Sequence, residues 1–137
     1  MSRAHLTWKG SPVLLHHLTT AEALDEIEAS GALRPTWQAP MESSDVEPYT
    51  LLVLWFTADP DPRRFGMKVH EPRTARVTVE LDESGVEQWE SFRTRVRPET
   101  TSGLEAGAKR HGGDPSDWWV STAAVGRACW INVVRWS

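Results

Sequence analysis

The chain of 137 residues has little of several features that define common protein classes. Its single cysteine, Cys129, excludes an intrachain disulfide and every zinc site that needs several thiolates. No apolar run approaches the roughly 20 residues that span a bilayer, and the first residues lack the basic, apolar and small-residue succession of a secretory signal. We therefore expect a cytoplasmic protein without a membrane segment.

Motifs of metal and phosphate chemistry are also missing. The sequence has no His-x-x-x-His pair, no Gly-x-Ser-x-Gly, no phosphate loop and no Gly-x-Gly-x-x-Gly. His16 and His17 are neighbours in a predicted strand, so their side chains point to opposite faces and cannot bind one metal. Cys129 lies in an apolar stretch, which is typical of a buried and inert thiol. We expect no metal site.

Arginine and tryptophan are the abundant residue types. The net charge of −4 does not favour nucleic acid as a partner, yet twelve of the fifteen basic residues are arginine, which makes two-pronged contacts with phosphate. The chain also has eight tryptophans, and most of them should form core. An alternative is a β domain that binds nucleic acid through arginines and stacking tryptophans. The alternating Arg93, Arg95 and Arg97 are typical of a solvated strand edge, and they could also bind phosphate or a partner.

The pattern of apolar residues predicts one α+β domain over residues 1–137, rich in strands and with one clear helix. Residues 19–22 fit a capping box with Thr19 as the N-cap and Glu22 three residues later, and Gly31 is a good helix end. Residues 84–96 are compatible with a helix or a strand. Residues 34–50 and 98–117 are predicted to be mainly loops, the first of them long enough to cover a site. Strands are predicted at 13–18, 51–57, 74–81, 118–121 and 129–136.

Three short motifs carry a resemblance to a known family. Residues 16–19 read His-His-Leu-Thr at the end of the first strand, residues 55–57 read Trp-Phe-Thr at the end of the central strand, and residues 116–121 read Ser-Asp-Trp-Trp-Val-Ser. In this order the motifs resemble the ADP-ribosyltransferase superfamily, in particular the small rifampin-type and DNA-modifying toxin-type transferases. The resemblance implies an ADP-ribosyltransferase-like split β-sandwich, with NAD as the substrate.

The resemblance also implies which residues bind NAD. His17 would bind the ribose on the adenosine side, and Thr19 would contact the nicotinamide half. Trp55 or Phe56 would stack on nicotinamide, and Thr57 completes that motif. These residue types suit the task, because a histidine can hydrogen-bond ribose oxygens and a planar ring can stack on a planar base.

The remaining roles in such a site are charged. Arg76, or an arginine from a loop, would neutralise the pyrophosphate. Asp117 would be the catalytic acid, acting with His17 as nicotinamide leaves. The rifampin-type pattern instead puts the acid after the third strand, where this chain offers Asp82, Glu83 or Glu87.

The resemblance implies an enzyme that transfers ADP-ribose to an unknown acceptor, which is a protein, a nucleic acid or a small molecule, or that hydrolyses NAD. Such a domain would suit a toxin or a phage-defence protein. The alternative is an inactive module of the same fold that binds a nucleotide or a protein partner. An Asp117 carboxylate that lies far from His17 would contradict the enzyme and favour the inactive module.

Overall fold

The computed structural model describes residues 10–37, 52–65 and 73–136. Within these ranges the chain is an α+β fold of nine strands and three α-helices. The helices are α1 (Ala21–Ser30), α2 (Trp89–Phe92) and α3 (Pro98–Arg110). The strands are β1 (Pro12–Thr19), β2 (Ala32–Leu33), β3 (Thr36–Trp37), β4 (Leu52–Thr57), β5 (Ala75–Asp82), β6 (Glu87–Gln88), β7 (Trp118–Ser121), β8 (Val125–Gly126) and β9 (Trp130–Arg135).

One antiparallel sheet organises the fold. Its strand order is β6-β7-β4-β1-β5-β9, and β3 pairs with β4 outside this path. The strands β1 and β5 pair over their whole length, from Pro12 opposite Asp82 to Thr19 opposite Ala75. A separate ribbon is formed by β2 and β8. The five strand regions predicted from the sequence are therefore confirmed, with small shifts of their ends.

The sheet buries a different cluster on each face. Side chains alternate along β4, so that Trp55 joins one cluster and Phe56 joins the other. The cluster of Trp55 contains the buried apolar residues of α2 and α3, and that of Phe56 contains Leu24 of α1, Leu33 of β2 and Val125 of β8. As its continuous apolar run predicted, β4 is buried on both faces.

The helix α1 begins and ends through local chemistry. Its N-cap is Thr20, whose side-chain oxygen accepts a hydrogen bond from the Ala23 amide at 3.1 Å. The predicted cap at Thr19 is wrong by one residue, because Thr19 still belongs to β1 and pairs with Ala75. At the other end, Gly31 takes a left-handed φ of 78°, as its position predicted.

The fold has more helix than the sequence predicted. The segment 98–110, expected as mainly loop, is the 13-residue helix α3. Pro98 stands in its first turn, where a missing amide hydrogen costs nothing. A stripe of Thr100, Leu104 and Ala108, spaced by four residues, is buried against the core. Threonine and glycine are weak helix formers, so this burial, rather than propensity, stabilises α3.

The ambiguous segment 84–96 contains a short strand, the helix α2 and a 3₁₀ turn at Arg93–Arg95. The strand suggested by its alternating arginines does not form. Each arginine instead lies beside a carboxylate. The pairs are Arg93 with Glu105 at 2.8 Å, Arg95 with Glu87 at 2.8 Å and Arg97 with Glu99 at 3.8 Å.

The long loop predicted at 34–50 is described only at its start. The start of the loop predicted at 34–50 contains the short strand β3, and residues 38–50 lie outside the described residues.

Among the helices of the described ranges, none combines the length and the apolar character needed to cross a bilayer.

Candidate functional site

A pocket of about 530 Å³ opens where β1 turns into α1. Its size is within the range of small-molecule sites. The apolar part of its wall comes from both clusters of the sheet, and includes Leu18, Leu33, Leu54 and Phe65. The charged and titratable residues that line it are His17, Glu26, Arg34 and Arg73, and the hydroxyl groups are those of Thr19, Thr20 and Ser30.

His17 is held by the backbone of the neighbouring strand. Its Nδ1 lies 2.9 Å from the carbonyl oxygen of Trp55, and a carbonyl can only accept, so Nδ1 carries the hydrogen. In the neutral ring the other nitrogen, Nε2, then has a lone pair. The ring also meets the edge of Phe56 at a centroid distance of 6.0 Å. These contacts fix the orientation of a hydrogen-bond acceptor at the pocket.

The surroundings keep His17 neutral. Burial lowers the pKa of His17 from 6.5 to about 4, the hydrogen bond to Trp55 opposes this shift, and the positive charge of Arg73 adds to it. At neutral pH the ring is therefore uncharged, and Nε2 can accept a hydrogen bond from a hydroxyl group. A protonated ring would lose that lone pair.

Arg73 places a partly desolvated cation on the pocket wall. Its Nε donates to the carbonyl oxygen of Leu18 at 3.2 Å, and its guanidinium carbon lies 5.1 Å from the centre of the Phe65 ring. Burial lowers the pKa of Arg73 to about 10, so the group still carries its charge at neutral pH. A cation with little water around it attracts an anion more strongly than an exposed one. Together with Arg34 it makes this pocket suitable for phosphate groups.

One face of α1 forms the opposite wall. The lining residues Ala23, Glu26 and Ser30, with the cap Thr20, recur at intervals of three and four. This spacing puts them on one side of the helix. The two acids Asp25 and Glu28 instead bind Arg135 of β9, at 2.8 and 2.6 Å.

The structure brings together three of the residues predicted for NAD binding. His17, Thr19 and Trp55 all line the pocket. The predicted stacking by the Trp55 ring does not fit, because this side chain is 6% exposed and packs between Trp89 and Trp118, at centroid distances of 5.3 and 5.6 Å. The contribution of Trp55 to the site is its carbonyl group, which orients His17.

Three other predicted residues do not line the pocket. Phe56 and Thr57 are 0 and 1% exposed, so neither can contact a ligand in this arrangement. Arg76 lies on the other face of β5 from the residues that pack against α1, and its guanidinium carbon is 5.9 Å from the Trp136 ring centre. The arginines that do line the pocket are Arg34 and Arg73.

Asp117 does not join His17 in the pocket. The strand registers put His17 level with Phe56 and Trp119, and Asp117 therefore lies two strands away and two residues further, a Cα separation of about 12 Å. The offset leads away from the pocket, which lies towards Thr19. The pKa of Asp117 is raised by burial and by the negative charges of Asp114 and Asp59.

The alternative acids lie further away. Asp82 pairs with Pro12 at the opposite end of β1, and Glu83 follows it. Glu87 is on the edge strand β6 and binds Arg95. Neither placement of the acid that the resemblance suggested therefore lies at the pocket.

Sequence reasoning missed three charged residues of the pocket, namely Glu26, Arg34 and Arg73. Arg34 lies between β2 and β3, and Arg73 lies two residues before β5, so neither belongs to an element whose periodicity would predict the direction of its side chain. Glu26 had a usable signal, because it follows Ala23 by three residues on a helix that directly continues the His-His-Leu-Thr motif.

Comparisons with known proteins found no relative of this chain. No family model matches the chain, and the searches of curated proteins and of solved structures found no match. Function is therefore inferred from the chemistry of the pocket and from the sequence motifs.

Proposed function

We propose that the protein is an ADP-ribosyltransferase-like protein that binds NAD in the pocket between β1 and α1. It would break the bond between nicotinamide and ribose and transfer ADP-ribose to an acceptor or to water. The finer fold assignment, a split β-sandwich of that superfamily, belongs to the same proposal. Its support is the location of the pocket, which opens at the His-His-Leu-Thr motif on which the resemblance rests.

The observation that carries the proposal is the combination of His17 and Arg73. A neutral histidine with its acceptor nitrogen free of the Trp55 bond suits a ribose hydroxyl group. A partly desolvated arginine 3.2 Å from the Leu18 carbonyl suits a pyrophosphate. NAD carries both groups, joined by a few bonds, and the pocket has both partners in its wall.

A second candidate is an inactive module that binds the same nucleotide. Its support is the position of Asp117, which lies about 12 Å from His17 between Cα atoms and on the side away from the pocket. This separation favours the inactive module, and a transferase would need a carboxylate other than Asp117. Both candidates require NAD or an ADP-ribose-like nucleotide to bind, and they differ only in whether the glycosidic bond is broken.

Titration calorimetry with NAD tests binding. We expect wild type to bind and His17→Ala to bind at least about tenfold more weakly, since one hydrogen bond to the ligand is lost. His16→Ala is the matched control, because His16 points to the other face and hydrogen-bonds Thr78 at 2.9 Å. Equal affinities of wild type and His17→Ala would contradict the site. No binding by wild type would contradict the function.

Release of nicotinamide from the same samples separates the two candidates. Release by wild type that is lost with His17→Ala supports the transferase or hydrolase. Binding without release, also in the presence of protein and nucleic-acid acceptors, supports the inactive module.

A further inference from the structure

We propose that Phe65 is a positioning residue of the pocket, which holds the Arg73 guanidinium where a phosphate group of the ligand binds and thereby sets a preference for nucleotides over nucleosides. The inference rests on the proposed function and deepens it, since it names a residue on which the selectivity for a diphosphate depends. It also gives the third sequence motif a role at the pocket, through Trp118, which anchors Phe65.

The first observation is that Arg73 is attached to the strand beside the pocket. The strands β1 and β4 pair through one residue of each, and in the continued register Leu18 would face Trp55. The carbonyl oxygen of Leu18 instead accepts a hydrogen bond from Arg73 Nε at 3.2 Å. That of Trp55 is bound by His17 in the same way, at 2.9 Å. A hydrogen bond at Nε alone does not fix the orientation of the guanidinium plane.

Phe65 supplies a further contact to this guanidinium. The guanidinium carbon of Arg73 lies over the Phe65 ring, 5.1 Å from its centre. A cation within about 6 Å of an aromatic face is attracted by the ring electrons, and more strongly where water is excluded. Phe65 is 3% exposed, and burial lowers the pKa of Arg73 to about 10. The Phe65 ring and the Leu18 carbonyl therefore hold the cation together.

The Phe65 ring is itself fixed by the tryptophan cluster. It packs against Trp118 at a centroid distance of 6.0 Å, and the Phe65 carbonyl oxygen accepts a hydrogen bond from Trp118 Nε1 at 2.9 Å. Trp118 is fully buried and contacts the rings of Trp55 and Trp89. Both the backbone and the ring of Phe65 are thus held in place, so the tightly packed cluster supports a charged group of the pocket.

A cation that is held in place favours a charged ligand. An arginine that is already oriented loses little conformational freedom when a phosphate group binds, so more of the attraction contributes to affinity. A nucleoside has no phosphate group and gains nothing from this orientation. Loss of the Phe65 ring should therefore weaken the binding of a diphosphate and leave the binding of the nucleoside unchanged.

Titration calorimetry with ADP and with adenosine, which differ by the diphosphate alone, measures the preference as the ratio of two dissociation constants. Wild type should bind ADP at least about tenfold more tightly than adenosine. Phe65→Leu keeps an apolar side chain and removes the aromatic face. We expect it to reduce the ratio about three- to tenfold through weaker binding of ADP. Phe65→Tyr keeps the aromatic face and should retain the wild-type ratio.

The matched control is Phe92→Leu. Phe92 is 4% exposed and belongs to the same cluster as Phe65. The guanidinium carbon of Arg95 lies 4.8 Å from its ring centre, and neither Phe92 nor Arg95 lines the pocket. This variant loses the same kind of contact and the same volume, so it should keep the wild-type ratio.

The outcomes separate this inference from the function on which it rests. Wild type that binds neither NAD nor ADP contradicts the proposed function, and the inference with it. Where wild type binds ADP more tightly than adenosine, an unchanged ratio in Phe65→Leu overturns the inference alone. An equal fall of the ratio in Phe92→Leu also overturns it. Weaker binding of both ligands by Phe65→Leu would indicate a structural role and contradict the positioning of Arg73.

Discussion

His16 and His17 are neighbours in β1 and belong to two different regions of the molecule. The Nδ1 of His16 lies 2.9 Å from the Thr78 hydroxyl on one face of the sheet, and His16 is 8% exposed. The Nδ1 of His17 is satisfied by the Trp55 carbonyl on the other, and this ring lines a pocket. Alternation alone packs one histidine against Thr78 and puts the other in the wall of a pocket.

The same contrast extends to the two faces as a whole. Against α2 and α3, three tryptophan rings pack on one another, with centroid distances of 5.3 to 5.8 Å. Towards α1, the sheet instead leaves space at the end of β1. Both faces bury core residues, and the face towards α1 also provides a site. Substitutions in the tryptophan cluster and at the pocket should therefore have separable effects.

The largest expected effect is on the aromatic face. Trp118 is fully buried, and its Nε1 donates to the Phe65 carbonyl at 2.9 Å. Trp118→Ala should lower the free energy of unfolding by about 3–5 kcal/mol, because it leaves a large cavity and an unpaired acceptor. Urea denaturation followed by circular dichroism measures this loss.

The control for that substitution is Ile131→Ala on β9. Ile131 is 48% exposed, so its removal should change the free energy of unfolding by less than about 1 kcal/mol. Equal losses of stability in the two variants would contradict the stabilising role of the aromatic cluster. A His17→Ala protein that loses much less stability than Trp118→Ala but binds NAD weakly would complete the separation of the two regions.

The second-largest expected effect is the pH dependence of the free energy of unfolding that arises from His17. Because the pKa of His17 falls from 6.5 in the unfolded chain to about 4 in the fold, the unfolded state binds more protons between these values. Stability is therefore full above about pH 6.5, decreases as the pH falls towards 4 and then levels off. The 2.5-unit difference corresponds to about 3 kcal/mol.

Denaturation at several pH values between 4 and 7 measures this dependence. The comparison is with His17→Gln, which can still donate to the Trp55 carbonyl but does not titrate. The variant should lose less stability than wild type on acidification, and the difference isolates His17 from His16, whose pKa is also lowered by burial. Parallel curves for the two proteins would contradict the neutral state of His17.

The parts of this fold that could be predicted from sequence are those in which apolar residues recur in a regular pattern. The alternation of Val77, Val79 and Leu81 predicted β5, and the unbroken apolar run at 51–57 predicted β4 as a buried strand. Alternation also correctly separated His16 from His17. Gly31 marked the end of α1, because the left-handed region favours glycine.

The rest depends on contacts between distant parts of the chain. The helix α3 contains threonine and glycine, and its stability comes from packing of Leu104 and Ala108 against the sheet. The order of the strands decided that Asp117 lies away from His17, and sequence motifs do not report strand order. Arg73 reaches the pocket by bonding to Leu18, 55 positions earlier in the chain.

The smallest expected loss of stability concerns the residue at which β1 ends and α1 begins. Thr20→Ala should lower the free energy of unfolding by about 1 kcal/mol, since it removes the side-chain oxygen that caps the Ala23 amide at 3.1 Å. Thr19→Ala should cost less, because Thr19 is the last residue of β1 and does not cap α1. The capping box predicted from residues 19–22 has Thr19 as the N-cap, and it therefore predicts that Thr19→Ala loses more stability than Thr20→Ala. The two variants therefore decide whether α1 begins where the structure puts it.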